Sequence, residues 1–239
     1  MSRLIKSLLD FIYPPRCGVC FEFIEEPRPI CAECEALLPK ISHPMCVICG
    51  MPFLGGEDHA CGACLDKRPP FDRARAAGIY SGSLRPAIIH FKFNRKIQLA
   101  KPLGKLMADT LLDELDPQEI DSIIPVPLHK KRLRWRGFNQ ALLLARELSA
   151  LTGIWIDAYT LKRVRYTKPQ TRLPHKERAE NVKGAFNVER ETFVRDRSIL
   201  LVDDVATTGS TLIECAGVLK KAGARRIEAL TAAKAVSGF

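Results

Sequence analysis

Eight of the nine cysteines in this 239-residue chain form four C-x-x-C pairs between Cys17 and Cys64. The pairs are CGVC, CAEC, CVIC and CGAC, with ten or eleven residues between one pair and the next. Each C-x-x-C turn presents two thiolates to one tetrahedral ion, so two turns complete a four-sulfur site. The spacing therefore predicts two zinc sites, whose ligands are Cys17, Cys20, Cys31, Cys34, Cys46, Cys49, Cys61 and Cys64.

Zinc is favoured over disulfides or redox dithiols, because a cytoplasmic chain rarely keeps structural disulfides. Four-thiolate sites leave no open coordination position, so the ions are expected to be structural rather than catalytic. We expect sequential pairing of neighbouring C-x-x-C turns, with cross-braced pairing as the alternative. His43 and His59 are expected to be bystanders, because four complete pairs leave no ligand position free. Cys215 is expected to be a small core residue within a helix.

The cysteines divide the chain at about residue 70. Residues 1–70 are predicted to form a small metal-binding module that starts with an amphipathic helix, in which Leu4, Leu8 and Ile12 pack on the protein's own core. Residues 71–239 alternate strands with helices, which predicts a parallel sheet covered on both faces. Strands are predicted at 73–80, 120–127, 197–204 and 225–236, and helices at 83–93, 99–115, 138–153 and 211–223.

The formal net charge of +10 favours nucleic acid or phosphorylated ligands as partners. Eight zinc-bound thiolates and two dications would lower this charge to about +6. No apolar run approaches the ~18 residues that a membrane span requires. The N-terminal MSRLIKSLLDFIYPP has no small-residue cleavage site, so we expect a cytoplasmic protein without a signal peptide.

The stretch ILLVDDVATTGSTL (199–212) predicts a strand, a turn rich in hydroxyls, and a helix. Backbone N–H groups at such a helix start favour an anion, and Gly209 allows the backbone a close approach. The absence of a G-x-x-x-x-G-K-[ST] pattern argues against a nucleoside-triphosphatase loop. An ordinary capped turn is the alternative. The candidate anion-binding residues are Ala206, Thr207, Thr208, Gly209, Ser210 and Thr211.

Asp203 and Asp204 directly precede this turn. A carboxylate beside a phosphate is unfavourable unless something lies between them. A ribose 5-phosphate satisfies this condition, because its phosphate enters the turn while its 2- and 3-hydroxyls donate to the acids. We therefore interpret the two acids as groups that recognise sugar hydroxyls, directly or through Mg²⁺.

This stretch and several others resemble a known protein family. VDDVATTGSTL (202–212) is similar to the phosphoribosyl-pyrophosphate (PRPP) signature of type I phosphoribosyltransferases. IIPVPLHKKRLRWRGFNQA (123–141) and RVRYTKPQTRLPHKERAENVKGAF (163–186), with the cysteine module, are similar to the ComF family of competence-associated proteins. The resemblance spans nearly the whole chain. It implies an α/β type I phosphoribosyltransferase fold, a parallel sheet flanked by helices, with an N-terminal double zinc-ribbon module.

The resemblance also implies roles for two basic stretches. A pyrophosphate-binding loop is expected at 125–140, with a solvated basic loop as the alternative; its cations are Lys130, Lys131, Arg132, Arg134 and Arg136. A loop that closes over the substrate is expected at 163–186. The family motif marks Arg163, Arg165, Thr167, Gln170, Arg178 and Asn181 there, and Arg165 and Arg178 are candidate phosphate contacts. A short helical segment is expected to begin at Arg178 and to be anchored by Phe186.

Three functions remain open. The first, implied by the resemblance, is a PRPP or ribose 5-phosphate site in a protein that handles incoming single-stranded DNA during competence, with a competence helicase among its partners. The second is an active phosphoribosyltransferase acting on a base or nucleotide, with Mg²⁺ and with catalysis by positioning and electrostatics. The third, a structural protein with a vestigial site, is the weakest, because the signature is intact. Trp135 and Phe138 are the aromatics best placed to stack on bases.

Overall fold

A four-stranded parallel sheet forms the centre of the protein. The structure is a computed structural model that describes residues 14–26, 28–167 and 174–236. Its strands are β1 (Arg73–Ile79), β2 (Ser122–Pro125), β3 (Leu161–Arg163), β4 (Phe186–Val188), β5 (Ser198–Ala206) and β6 (Arg226–Lys234). The sheet has the order β1–β6–β5–β2, and β3 pairs with β4 in a separate antiparallel ribbon. The predicted parallel α/β sheet is therefore confirmed.

Eight α-helices are described. They are α1 (Ala32–Ala36), α2 (Gly62–Asp66), α3 (Leu84–Phe93), α4 (Ala100–Glu114), α5 (Lys130–Arg136), α6 (Gln140–Thr152), α7 (His175–Val182) and α8 (Ser210–Lys221). Single 3-10 turns lie at Ile97–Leu99, Pro117–Glu119 and Glu191–Phe193. None of the helices in the described part of the chain has the length and apolar content to cross a membrane.

Helices cover both faces of the sheet, as the buried aliphatic strands require. On one face, α4 packs on α6, and Leu103, Met107 and Leu144 are almost fully buried there. The two helices approach closely at Gly104, where an added Cβ would lie 2.3 Å from the Cβ of Glu147. On the other face, α8 packs on the sheet through residues such as Leu219.

The cysteine-rich segment lies along the edge of the sheet at β1. Ile79 N–H donates to the carbonyl of Pro39 at 2.7 Å, and Ile41 N–H donates to that of Ala77 at 3.4 Å. Gly78 makes this approach possible, because a Cβ there would lie 2.6 Å from the Pro39 oxygen. The segment thus covers an edge strand that would otherwise present unpaired backbone groups.

Two local predictions differ from the structure. The basic stretch expected to be a loop contains helix α5, since His129 Nδ1 accepts from Lys131 N–H at 3.2 Å at its start and Gly137, with φ +88°, ends it. Helix α7 begins at His175 rather than at Arg178. The expected amphipathic N-terminal helix, with Leu4, Leu8 and Ile12, and the motif residue Gln170 lie outside the described residues.

Candidate functional site: two thiolate clusters and a basic cavity

The eight paired cysteines form two separate clusters. One consists of Cys17, Cys20, Cys31 and Cys34, and the other of Cys46, Cys49, Cys61 and Cys64. Within each cluster all four sulfur atoms lie within 4.8 Å of one another. Four sulfurs at this separation suit one tetrahedral zinc ion. The expected sequential pairing is confirmed, and the protein has two four-cysteine zinc-binding sites.

The two clusters share the same internal hydrogen bonds. Cys31 N–H donates to Cys17 Sγ at 3.3 Å, and Cys61 N–H donates to Cys46 Sγ at 3.3 Å. Cys17 and Cys46 are fully buried, which by itself raises the pKa of each thiol. Backbone N–H donors nevertheless lower both pKa values to about 6. The protein scaffold therefore favours the thiolate form that zinc requires.

Neither nearby histidine belongs to a cluster. His43 Nδ1 pairs with Asp58 at 2.6 Å, and its Nε2 pairs with Glu114 at 2.8 Å. His59 stacks on the ring of Phe53 at 4.2 Å. Both are bystanders to the zinc sites, as expected. Cys215 is a fully buried core residue of helix α8, also as expected.

A cavity of about 390 Å³ opens where three parallel strands end. Its lining includes Tyr80, which follows β1, Val126, which follows β2, and Asp203, near the end of β5. This is the position at which open parallel sheets bind ligands. Five cationic side chains also line it: Lys92, Arg132, Arg136, Arg163 and Arg178. Two carboxylates oppose them, so the cavity has an excess of positive charge.

The two acids have different environments. Asp204 is buried and forms an ion pair with Lys92 of α3 at 2.8 Å. Asp203 is half-buried, and its Oδ1 accepts the backbone N–H of Asp204 at 2.8 Å. Burial, followed by repulsion from Asp204, raises the pKa of Asp203 to about 7. Asp203 is therefore a carboxyl group that titrates near neutral pH.

Two of the cavity arginines are held in place by buried contacts. Arg136 donates to Gln140 Oε1 at 2.6 Å and lies over the ring of Phe93. Arg163 donates to the hydroxyl of Thr167 and lies over the ring of Phe186. Burial lowers the pKa of both guanidinium groups. Among the described residues, neither Nε atom has a hydrogen-bond partner, so both arginines keep unused donor capacity beside the cavity.

The predicted anion turn lies at one side of the cavity. Thr207 and Thr211 line it, and Gly209, with φ +73°, precedes the first residue of α8. The hydroxyls of Thr208 and Ser210 lie 2.6 Å apart and hydrogen-bond to each other. Ala206 is the last residue of β5 and is buried. The loop expected from the sequence thus has the strand–turn–helix geometry of an anion site.

The structure divides the five cations of the basic stretch. Arg132 and Arg136 line the cavity, whereas the other three side chains of α5, Lys130, Lys131 and Arg134, are exposed and do not. Arg165 does not line it either, because its guanidinium donates to the carbonyls of Asn181 and Lys183 at the end of α7.

Three cavity residues were not anticipated from the sequence. Lys92 and Phe93 come from the end of α3, and Tyr80 from the end of β1. The only signal for these residues in the nearby sequence is the aromatic Phe93 among the cations of HFKFNRK (90–96). Trp135 lines the cavity and is 67% exposed, and its stacking on a base stays a prediction. Phe138 is different, because its ring packs against Phe91 at the core and does not line the cavity.

The chain resembles known protein families and individual proteins. Residues 8–65 match the double zinc ribbon domain, and residues 136–238 match the phosphoribosyl transferase domain. The DNA utilization protein YhgH of Salmonella typhi is 35% identical over 83% of this chain and 87% of its own length. Competence protein F of Haemophilus influenzae is 35% identical over 86% of this chain and 90% of its own length.

A solved structure is similar at a lower level. The glutamine phosphoribosylpyrophosphate amidotransferase from B. subtilis is 20% identical, with a TM-score of 0.42. The match covers 61% of this chain and 30% of that one. The family assignment therefore rests on the two sequence relatives, whose matches to this chain cover 87% and 90% of their own lengths.

Proposed function

This chain belongs to the ComF family, together with competence protein F and the DNA utilization proteins, and on that basis we propose that it binds PRPP or a ribose 5-phosphate group while serving in the handling of incoming single-stranded DNA. The observation that carries the proposal is the cavity, in which five cations and two acids meet at the ends of three parallel strands. A ligand with several phosphates and a polyol matches that combination of charges.

Each part of such a ligand has a counterpart in the cavity. The 5-phosphate would lie at the start of α8, where Thr207 and Thr211 line the cavity and the backbone N–H groups of the first helical turn favour an anion. The pyrophosphate would lie against Arg132 and Arg136, whose planar guanidinium groups bind two oxygens at once. Arg178, on α7, also lines the cavity and would add a further cation.

The acid pair would bind the ribose. Both acids line the cavity, but Asp203 is the more exposed of the two, so we assign it the sugar hydroxyls, whereas Asp204 is paired with Lys92. Mg²⁺ prefers carboxylate, water and phosphate oxygens, so Asp203 would hold this ion, which would neutralise charge on the pyrophosphate. Asp204 and Lys92 would then act as a support that fixes the end of β5.

The DNA-handling part of the proposal is supported by different observations. The relatives bear the names competence protein F and DNA utilization protein, and this chain remains basic after its zinc thiolates are counted. Eight thiolates must also stay reduced to bind zinc, which supports a cytoplasmic place of action.

An active phosphoribosyltransferase is the second candidate. The observation in its favour is a pair of exposed rings, Phe93 and Trp135, whose centroids lie 6.5 Å apart at the cavity. Two such rings offer a surface for a flat acceptor base. Release of pyrophosphate from PRPP in the presence of free bases would establish this activity, and its absence with every base tried would leave a binding protein.

Calorimetric titration with PRPP and Mg²⁺ tests the binding site. We expect wild-type protein to bind and Arg132→Gln with Thr207→Val to weaken binding at least tenfold, because charge-assisted contacts are lost. Asp109→Asn, at an exposed position of α4 outside the cavity, is the control and should bind like wild type. No binding by the zinc-loaded wild-type protein would refute the site.

A further inference from the structure

Helix α5 has two faces with the same charge and different surroundings. Its seven residues, KKRLRWR, contain five cations and no acid. At 100° per residue, Arg132 and Arg136 fall on one side, and Lys130, Lys131 and Arg134 fall on the other. Exposure follows this division, since Arg136 is buried and the second set is exposed. The cations of one face thus line the cavity. Those of the other face, the open face, are exposed to solvent and can contact a large ligand.

The open face is held rigidly in place. Arg136 is anchored through Gln140 of α6, and Arg132 donates to the carbonyl of Thr167 at 3.3 Å. Gly137, in the left-handed region, ends the helix after Arg136. Because the inward side chains fix the helix, Lys131 and Arg134 project from a defined position rather than from a mobile loop.

An exposed aromatic ring lies beside these cations. Tyr166 is 52% exposed, and Lys131 Nζ lies 5.7 Å from its ring centre. The ring of His129 contacts the same tyrosine at 5.2 Å. Burial lowers the pKa of His129, and Lys131, Arg163, Arg132 and Arg134 lower it further, which reflects a strongly positive local field. Cations interleaved with exposed rings are the pattern by which proteins bind single-stranded nucleic acid.

The cavity itself is poorly suited to a DNA strand. In the proposed site Asp203 accepts two neighbouring hydroxyls of the ribose, but deoxyribose has no 2-hydroxyl, and inside a strand its 3-oxygen is esterified. An internal deoxynucleotide would therefore bring an additional phosphate towards Asp203 without offering it a donor. A DNA strand needs a second surface, and the open face of α5 adjoins the cavity through Trp135.

We propose that the open face of α5, with Lys131, Arg134 and Tyr166, binds single-stranded DNA at a site separate from the PRPP cavity. The inference deepens the DNA-handling part of the proposed function and rests on it. The two cations would contact successive phosphates, and the tyrosine would stack on a base. One short helix would thus serve two anionic ligands through opposite faces.

Fluorescence anisotropy with a labelled oligothymidylate tests the proposal on full-length, zinc-loaded protein over a range of salt concentrations. We expect Lys131→Gln with Arg134→Gln to weaken binding about tenfold and to reduce the slope of log affinity against log salt by about 1.4, since each lost phosphate contact contributes about 0.7 for single strands. Tyr166→Leu should weaken binding roughly fivefold through lost stacking. PRPP titrations of these variants should match wild type.

A matched control removes the same charge elsewhere. Lys101→Gln with Lys105→Gln changes two exposed lysines of α4 and should alter DNA affinity less than twofold. Equal losses in the two double variants would overturn the proposal, as would an equal effect of Lys131→Gln with Arg134→Gln on a duplex of the same length. Absence of oligothymidylate binding by wild type would overturn it too, while the PRPP titration would still decide the cavity independently.

Discussion

The zinc sites and the cavity both contain several ionisable groups. These groups are paired in the zinc sites, whereas among the described residues some of them lack hydrogen-bond partners in the cavity. In the zinc sites, the thiolate of Cys17 or Cys46 accepts backbone N–H groups, and four sulfurs surround one ion position. In the cavity, and within the described residues, Asp204 Oδ2 accepts no hydrogen bond, and the Nε atoms of Arg136 and Arg163 donate none. Buried polar groups are normally paired, so unsatisfied ones require an explanation.

The difference indicates that the zinc sites mainly stabilise the fold and that the cavity is suited to ligand binding. A closed four-thiolate site uses all its ligands for folding and has no coordination position left for chemistry. A cavity with excess cations and a half-buried acid is less stable than a fully paired core would be, and such sites are typical of ligand binding. Removing groups from the two regions should therefore have opposite effects on stability.

The largest effect is expected at a zinc ligand. Cys46→Ser should lower the free energy of unfolding by about 4 kcal/mol or more, because zinc binding supplies much of the folding free energy of such modules. The loss should extend beyond the module, since Ile48 accepts a hydrogen bond from Ala74 of β1 at 2.7 Å. Thermal unfolding followed by circular dichroism, with zinc content measured in parallel, checks this.

Cys215→Ala is the matched control for that experiment, because Cys215 is equally buried but belongs to no cluster. Loss of one buried sulfur from the core should cost only about 1–2 kcal/mol. If the two variants were equally stable and Cys46→Ser kept both zinc ions, the zinc sites would not be the stabilising region.

The opposite sign is expected at Asp203. Its pKa is about 7 in the folded protein against an ordinary value of 3.8, so the folded state holds a proton that the unfolded chain loses between about pH 4 and pH 7. Wild-type stability should therefore fall as the pH rises through this range. Asp203→Asn removes the dependence and should be more stable by on the order of 3 kcal/mol at pH 8, with a smaller difference at pH 5.

Urea unfolding of both proteins at pH 5 and pH 8 measures this difference, and PRPP titration measures its functional cost. We expect Asp203→Asn to lose PRPP binding while it gains stability. Wild-type affinity should also decrease below pH 7, because a protonated carboxyl group neither accepts the sugar hydroxyls nor holds Mg²⁺ equally well. If Asp203→Asn were less stable than wild type at pH 8, the predicted opposite effects on stability in the zinc sites and in the cavity would be wrong.

Contiguous features of the sequence predicted the structure well. The cysteine clusters follow from pair spacing, which fixes ligand geometry within short segments. The strands and long helices follow from apolar periodicity, and the turn after Asp203 has the expected strand–turn–helix geometry. Helix α5 and the start of helix α7 were predicted wrongly, although in α5 Lys, Arg and Leu are good helix formers and Gly137 is a typical helix end.

Features that depend on distant segments could not be predicted. Lys92 reaches Asp204 because α3 packs beside the end of β5, and nothing near either residue in the sequence indicates this ion pair. The same holds for Phe138, since an aromatic ring in a basic stretch can stack on a ligand or fill the core. Only its contact with Phe91 decides between them.

The smallest effect is expected where the zinc module contacts helix α4. Hydrogen bonds to Glu114 of α4 and to Asp58 of the zinc module raise the pKa of His43 above 6.5. The charged histidine therefore stabilises the folded protein below that value, and the contribution is lost as the pH rises through the raised pKa. Because His43 is half exposed, His43→Gln should cost only a few tenths of a kcal/mol at pH 6 and nothing at pH 9. Paired urea titrations of wild type and His43→Gln at pH 6 and pH 9 check this. A pH-independent loss in His43→Gln would mean that packing rather than charge joins the zinc module to the sheet.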